Sequence, residues 1–199
     1  MPNYKLIYFN FRGRGEIIRY LFAYLNQEYE DRRIEFPDWP AIKPTIPYGK
    51  LPVLEIDGVI YHQSLAAGRY LAKKAGLTGK SDLEQLRVDA IIDSIDDFIS
   101  EFPWEAENEA EKKRKQTEYV AKAAPDLLIS LEKSLGDHVW FVGDSATWAD
   151  FYWDVCSDGI EGYVPGFADK YVKLKALKER VKAIPAIAAW VKKRPHTEG

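Results

Sequence analysis

The stretch that decides the fold is YKLIYFNFRGRGEIIRYLF, residues 4–22. Residues 5–9 have the composition and alternation of a β-strand, and from Gly15 onward apolar residues recur at the spacing of a helix face. Gly13 and Gly15 lie between the two, where glycine permits a tight turn. With a second strand predicted over residues 28–35, the segment forms a βαβ unit, which in proteins is right-handed.

The Arg-Gly-Arg-Gly of this stretch has three possible interpretations: a phosphate loop, a nucleic-acid contact, or a hinge between strand and helix. The dinucleotide fingerprint requires a third small residue, and Ile18 stands there. A Walker Gly-Lys-Ser/Thr is absent, and the arginine-glycine pair lies between apolar periodic segments. The glycines are therefore interpreted as a hinge. The hinge places Tyr8 near the carboxyl end of a strand and the amino end of a helix, where open α/β sheets bind ligands.

The next segments complete a small α/β domain. Four prolines within residues 36–50 exclude a long helix there. Two apolar runs flank Asp57-Gly58, a pair typical of a two-residue hairpin turn. Ser64 is predicted to cap the following helix, which Gly76 ends. Residues 1–76 are thus predicted to form an α/β domain.

Beyond a linker at residues 77–82, the hydrophobic period is helical throughout, so residues 83–199 are predicted to form an all-α domain. Its second helix contains Pro125, which is expected to kink or divide it. Thr147 and Asp150 have the spacing of a capping box at a helix start. No internal repeat is visible.

Composition restricts the class of protein. Hydrophobic residues make up 46% and aromatic residues 14%, enough for a packed core. The net charge of −3, without a basic stripe, argues against nucleic-acid binding. No apolar run approaches the ~18 residues of a membrane span, and no secretory signal is visible, so a cytoplasmic location is expected. The single cysteine, Cys156, excludes an internal disulfide and a Cys-x-x-Cys site.

Three segments in order, YKLIYFNFRGRGEIIRYLFA, DWPAIKPTIPYGKLPVLEIDG and HQSLAAGRYLA, resemble the cytosolic glutathione transferases. The likeness continues through VDAIIDSIDDF, FPW, VGDSATWADFYWDVC and IPAIAAWVKKRP and is nearest to the vertebrate sigma class. This resemblance implies a thioredoxin-like first domain, a helical second domain, a homodimer and a cis peptide before Pro52. Without a Cys-x-x-Cys pair, dithiol exchange is not expected of this fold.

The resemblance also implies a set of site residues. Tyr8 matches the catalytic tyrosine, whose hydroxyl donates to the sulfur of glutathione, and Arg14 lies beside it. The positions matching the glutathione site are Tyr8, Arg14, Trp39, Lys43, Lys50, Leu51, Gln63, Ser64 and Asp97. The positions matching the second-substrate pocket are Phe9, Phe11, Gly13, Trp104, Tyr152 and Cys156.

Asp93, Asp96 and Asp97 lie at i, i+3 and i+4, on one helix face. From the residues alone this is either a solvated acidic surface or part of a cation site. The resemblance favours the second, because in the sigma-class prostaglandin synthases such acids meet their symmetry mates and hold a divalent cation. Mg²⁺ or Ca²⁺ suits oxygen ligands, and Asp97 would also reach the partner's glutathione.

The function implied is activation of the glutathione thiolate for attack on electrophiles, together with isomerisation of prostaglandin H2 to prostaglandin D2. Two alternatives remain: a general sigma-class detoxification transferase without isomerase activity, and a non-catalytic relative like the lens S-crystallins. Phe11 and Gly15 depart from the pattern of the synthases, which leaves the second substrate open.

Overall fold

The computed structural model of the chain describes residues 2–197. Its backbone forms four strands and eight α-helices within those residues. In chain order these elements are β1 (Tyr4–Phe9), α1 (Glu16–Tyr24), β2 (Glu30–Ile34), α2 (Trp39–Ile42), β3 (Val53–Ile56), β4 (Val59–His62), α3 (Ser64–Lys74), α4 (Asp82–Glu101), α5 (Glu109–Leu135), α6 (Trp148–Tyr163), α7 (Val172–Lys182) and α8 (Pro185–Lys193).

The contacts between residues divide the chain into two compact units. The first contains the described residues up to Leu77 together with the segment from Pro185 onward, and the second is Thr78–Ile184. The sequence placed residues 83–199 in one helical domain, whereas α8 joins the first unit because it packs on α1. The expected architecture of an α/β unit and an all-α unit is confirmed.

The sheet of the first unit has the order β2-β1-β3-β4. Strand β1 pairs with β2 in parallel and with β3 in antiparallel, with Tyr8 opposite Arg33 in the first pairing. The predicted hairpin between β3 and β4 is confirmed: Asp57 and Gly58, at φ +50° and +84°, form its turn. Because β1 is central, its side chains pack on both faces of the sheet, and Tyr8 belongs to a covered strand.

Helix α1 forms where the periodicity predicted it, and its apolar face, including Ile17, Ile18 and Leu21, is buried. It packs against α3 and α8. The proline-rich segment before β3 contains only the four-residue α2 and short 3-10 turns, as four prolines require. In the first unit, the turn at residues 10–15 therefore connects a strand whose two faces are covered to a helix whose apolar face is buried.

In the second unit, α4 packs against α5 and α6, and α7 against α5 and α6. Helix α5 continues through Pro125 over 27 residues, so it is not divided there. The capping box at the start of α6 is confirmed, since Asp150 accepts from the Thr147 backbone at 2.7 Å while the Thr147 side chain accepts from the helix. Burial raises the pKa of Asp150 to about 6 against the effect of those hydrogen bonds.

Within residues 2–197, no helix combines the length and apolar character that crossing a membrane requires.

Candidate active site

Tyr8 lies near the end of β1, and its side chain is 5% exposed. Its ring contacts those of Phe9 and Phe11, with centroids 5.8 and 5.2 Å away. The backbone N–H of Arg14 donates to the Tyr8 hydroxyl oxygen at 3.1 Å. None of the described residues takes the hydroxyl proton, so this oxygen accepts from the protein and keeps its own proton for another acceptor.

The protonation state of Tyr8 suits a donor. Burial raises the pKa of the phenol above its ordinary value, while the Arg14 N–H and the charges of Arg14 and Arg19 oppose that rise. The phenol is therefore protonated at neutral pH. An O–H group held this way stabilises an anion that it contacts.

The two glycines of the turn provide the space for this tyrosine. Gly13 has φ +38°, and a Cβ atom built on it would lie 2.6 Å from the Tyr8 oxygen and 2.4 Å from a carbon of Phe11. A Cβ on Gly15 would lie 2.5 Å from Tyr8 Cδ1. The two glycines therefore do more than form the hinge, because they also let the backbone approach Tyr8 more closely than a residue with a side chain would allow.

Other residues expected at the glutathione site lie in the segment between β2 and β3. Trp39 begins α2 and packs edge-on against Phe9, with centroids 5.4 Å apart. The side chain of Lys43 runs along Gly49, which has φ +56°, so that a Cβ there would lie 3.1 Å from Lys43 Cε. Trp39 and Leu51 both pack on the core cluster that lies under β1 and β3.

The peptide bond between Leu51 and Pro52 is cis, as the resemblance implied. Gln63 has φ +75° and ψ 112°, an unfavourable conformation for a residue with a side chain. Ser64 is the first residue of α3, which Gln63 precedes, and no side-chain hydrogen bond caps this helix. The prediction that Ser64 is the cap was therefore wrong. Strain of this kind concentrates at functional sites, which favours a role for Gln63.

The sequence analysis overlooked Phe36. Its ring is stacked on Phe9 and Phe11, with centroids 4.6 and 5.8 Å away, although the side chain is 64% exposed. An exposed aromatic that extends the cluster around Tyr8 is a candidate for contact with an apolar substrate. The sequence signal for Phe36 was its position directly before a proline, because a residue in that position is disfavoured in a helix interior.

The sequence analysis also missed a buried ionic cluster behind the tyrosine. Arg19 is fully buried and contacts the carboxylates of Glu16 and Asp31, each at 3.2 Å. Its guanidinium carbon lies 5.9 Å from the centre of the Tyr8 ring. The signal was present, since Glu16 and Arg19 interrupt the apolar residues of α1.

In the second unit, the structure places the expected pocket residues on α6 and just after α4. Tyr152 is buried and donates to Asp96 Oδ1 at 2.6 Å, while Cys156, the single cysteine, lies one turn further along α6 and is partly exposed. Trp104 is 41% exposed, and its Nε1 donates to the carbonyl oxygen of Ile99 at 3.1 Å.

The acidic face of α4 has Asp93 and Asp97 exposed and Asp96 partly buried. One oxygen of Asp96 is engaged by the Tyr152 hydroxyl. Within the described part of a single chain, no group of three or more His, Cys, Asp or Glu residues is arranged to hold a metal ion.

Comparison with known proteins defines the family. The glutathione S-transferase N-terminal domain model matches residues 4–73, and the C-terminal domain model matches residues 94–194. The chain belongs to the glutathione S-transferase family.

Within the family, the chain is 58% identical to hematopoietic prostaglandin D synthase of Gallus gallus over 197 residues, covering 99% of each. It is 51% identical to the Homo sapiens protein of that name, covering all of both, and 40% identical to glutathione S-transferase S1 of Drosophila melanogaster, covering 98% of this chain and 80% of the relative. The solved structure "rat hPGDS complexed with a quinoline" has a TM-score of 0.95 at 54% identity, covering 99% of this chain and 100% of that one.

Proposed function

We propose that the protein is a glutathione transferase in which Tyr8 activates the thiol of glutathione. The observation that supports this most directly is the Tyr8 hydroxyl, which accepts the Arg14 N–H at 3.1 Å and keeps its proton for an acceptor in the site. Donation to sulfur favours the thiolate, which is the nucleophilic form. Glutathione supplies that nucleophile; conjugation consumes it, whereas isomerisation regenerates it.

The energy needed is within the reach of these groups. Lowering a thiol pKa by about two units requires roughly 2.7 kcal/mol of preference for the anion. One hydrogen bond to a charged acceptor contributes about 1.5–3 kcal/mol. The positive charge of Arg14 adds to this stabilisation.

The remaining residues suit a small peptide with two carboxylates and one amine. Lys43 and Lys50 supply cationic groups, and Leu51 is proposed to present its backbone to an extended ligand. Gln63 and Ser64 precede and begin α3, where a helix amino terminus favours a carboxylate. Trp39 and Arg14 complete the proposed set, with Asp97 contributed to the partner's site.

For the second substrate we propose prostaglandin H2, isomerised to prostaglandin D2, alongside conjugation of electrophiles. Support comes from the relatives at 51–58% identity that are named hematopoietic prostaglandin D synthase. The proposed pocket is apolar and largely aromatic, which suits a lipid. The residues that the resemblance assigns to it are Phe9, Phe11, Gly13, Trp104, Tyr152 and Cys156.

The same proposal includes a cytoplasmic homodimer with Mg²⁺ or Ca²⁺ between the two copies. Asp93, Asp96 and Asp97 of one chain would meet their symmetry mates, because three acids on one helix do not by themselves surround a cation. The measurement is the glutathione affinity of metal-free protein with and without added Mg²⁺. An unchanged affinity and turnover would identify these acids as ordinary surface.

The functional test uses Tyr8→Phe, with Tyr4→Phe as a matched control. Tyr4 is on the same strand, equally buried, and its hydroxyl contacts Tyr70 at 3.2 Å instead. Tyr8→Phe is expected to raise the pKa of the bound thiol by about one to two units and to lower kcat/KM for conjugation about 10- to 100-fold. Tyr4→Phe should leave both unchanged, and equal thiol titration in the two variants would remove Tyr8 from this role.

Substrate assays separate the alternatives. The purified protein with glutathione is offered a chlorodinitrobenzene-type electrophile and, separately, prostaglandin H2. Conjugation with no prostaglandin D2 would identify a general sigma-class transferase. Turnover of neither would identify a non-catalytic relative.

A further inference from the structure

We propose that Arg19 is a positioning residue for the Tyr8 hydroxyl, and that α8 supports it through Glu16. This inference rests on the proposed function of Tyr8, and it concerns residues of the first unit alone. Arg19 contacts neither glutathione nor the reacting atoms in this proposal, so it acts through the turn at residues 10–15.

The first step is the contact between Arg19 and the turn. Its Nη1 donates to the carbonyl oxygen of Phe11 at 2.8 Å and approaches that of Arg12 at 3.5 Å. Two residues further on, the same turn presents the Arg14 N–H to the Tyr8 oxygen. Arg19 therefore holds the backbone that directs the hydroxyl, and its charge lies under the tyrosine ring at 5.9 Å.

The second step is the set of charges that holds Arg19. A fully buried guanidinium requires paired carboxylates, and Asp31 accepts from Arg19 Nε on both oxygens, at 3.2 and 3.3 Å. Asp31 also pairs with Arg33 at 2.8 Å, and Arg33 donates to the Asn10 side chain at 3.2 Å. The start of the turn is thereby tied to the same cluster.

The third step connects the cluster to the last helix. Glu16 Oε2 accepts from Arg19 at 3.2 Å. Its other oxygen accepts from Trp190 Nε1 at 2.8 Å and from Arg194 Nη1 at 3.0 Å. Glu16 is 2% exposed, so these bonds form away from water, where loss of one partner matters most. Helix α8 is thus linked to Tyr8 through Glu16, Arg19 and the turn.

The experiment uses Arg19→Lys, which keeps the charge and loses the planar fork, and Trp190→Phe, which keeps every charge and loses one bond to Glu16. Trp153→Phe is the matched control, because it removes an indole N–H that donates to the Leu174 carbonyl oxygen at 3.3 Å in the second unit. Folding is verified by circular dichroism. If Arg19→Lys does not fold, the result for Trp190→Phe alone decides whether the inference holds.

Two readouts distinguish positioning from mere stability. In glutathione-free protein, hydrogen exchange of the Arg14 amide should accelerate about tenfold or more in both variants. The Leu77 amide, which donates to the Ala72 carbonyl oxygen at 2.9 Å, is the reference for a general loss of stability, and the acceleration at Arg14 should exceed any change there. With glutathione bound, the thiol pKa should rise by about half a unit, which shifts the acid limb of kcat/KM upward. The Trp153→Phe control should change neither.

Unchanged Arg14 exchange and an unchanged thiol titration in a folded variant would overturn the inference and leave the cluster a purely structural one. Because the exchange measurement needs no glutathione, it is independent of the proposed function. If the wild-type protein fails to lower the thiol pKa, the proposed function fails, while faster Arg14 exchange still supports the positioning role of Arg19.

Discussion

Replacing Gly13 by alanine is expected to reduce the activity of the site as well as the stability of the fold. The residue has φ +38°, and its new Cβ would lie 2.4 Å from a ring carbon of Phe11 and 2.6 Å from the Tyr8 oxygen. Both contacts are far inside van der Waals distance. Because Tyr8 is 5% exposed, it has little room to move away.

The magnitude follows from these distances. A left-handed conformation costs an alanine roughly 1 kcal/mol, and relief of the overlap in a packed site costs about 1–3 kcal/mol more. Moving the Tyr8 oxygen from 2.6 Å to an ordinary 3.4 Å is a shift of about 0.8 Å. Misplacement by about 1 Å reduces rates by up to about 100-fold, so kcat/KM should fall at least about tenfold.

Gly58→Ala is the matched control. Gly58 has φ +84° in the β3–β4 turn, and apart from its two chain neighbours none of the described residues has an atom within 4 Å of the position its Cβ would take. It therefore shares the backbone strain without the overlap. Urea unfolding measures the stability of both variants, and glutathione conjugation measures kcat/KM. If both variants lose stability equally and both keep wild-type kcat/KM, the argument that Gly13 makes room for Tyr8 is refuted.

Two further predictions concern Asp150 and Gln63. The pKa of Asp150 in the folded protein, about 6, lies above the 3.8 of an unperturbed aspartate. Its contribution to stability is therefore full below pH 3.8 and is lost as the pH rises through about 6. Relative to Asp150→Asn, the wild type should lose up to about 3 kcal/mol between pH 4 and pH 7, and a pH-independent difference in urea unfolding would contradict this. Gln63 has φ +75°, a conformation that glycine adopts without strain. Gln63→Gly should therefore leave the melting temperature unchanged or raise it by an amount that corresponds to about 1 kcal/mol of stability, while the glutathione Kd increases. A lower melting temperature with unchanged Kd would show that the strain has no part in binding.

The parts of the fold predicted from sequence are those set by local rules. The hairpin turn at Asp57-Gly58 depends on two residues that accept positive φ, and both adopt it. The capping box of α6 depends on side chains three residues apart. The βαβ unit followed from two hydrophobic periods and a short turn.

The remainder depends on contacts that no local pattern encodes. Glu16 meets Trp190 across 174 positions of the chain, so the sequence alone did not place α8 in the first unit. Ser64 was predicted to cap α3 from its residue type, but the strained backbone of Gln63 precedes it and no side chain caps the helix. At the candidate site, Tyr8 was predicted through resemblance, while its support by Arg19 required the buried geometry.

The attachment of α8 to the first unit affects the order of folding during synthesis. Domains generally fold as they emerge, amino-terminal first. Here the segment up to Leu77 emerges with its sheet complete, but Glu16 still lacks two of its hydrogen-bond donors, Trp190 and Arg194. The whole of Thr78–Ile184 must be made before these two residues appear. A nascent chain can therefore form its sheet early, but the polar cluster behind Tyr8 closes only after Trp190 and Arg194 have been translated.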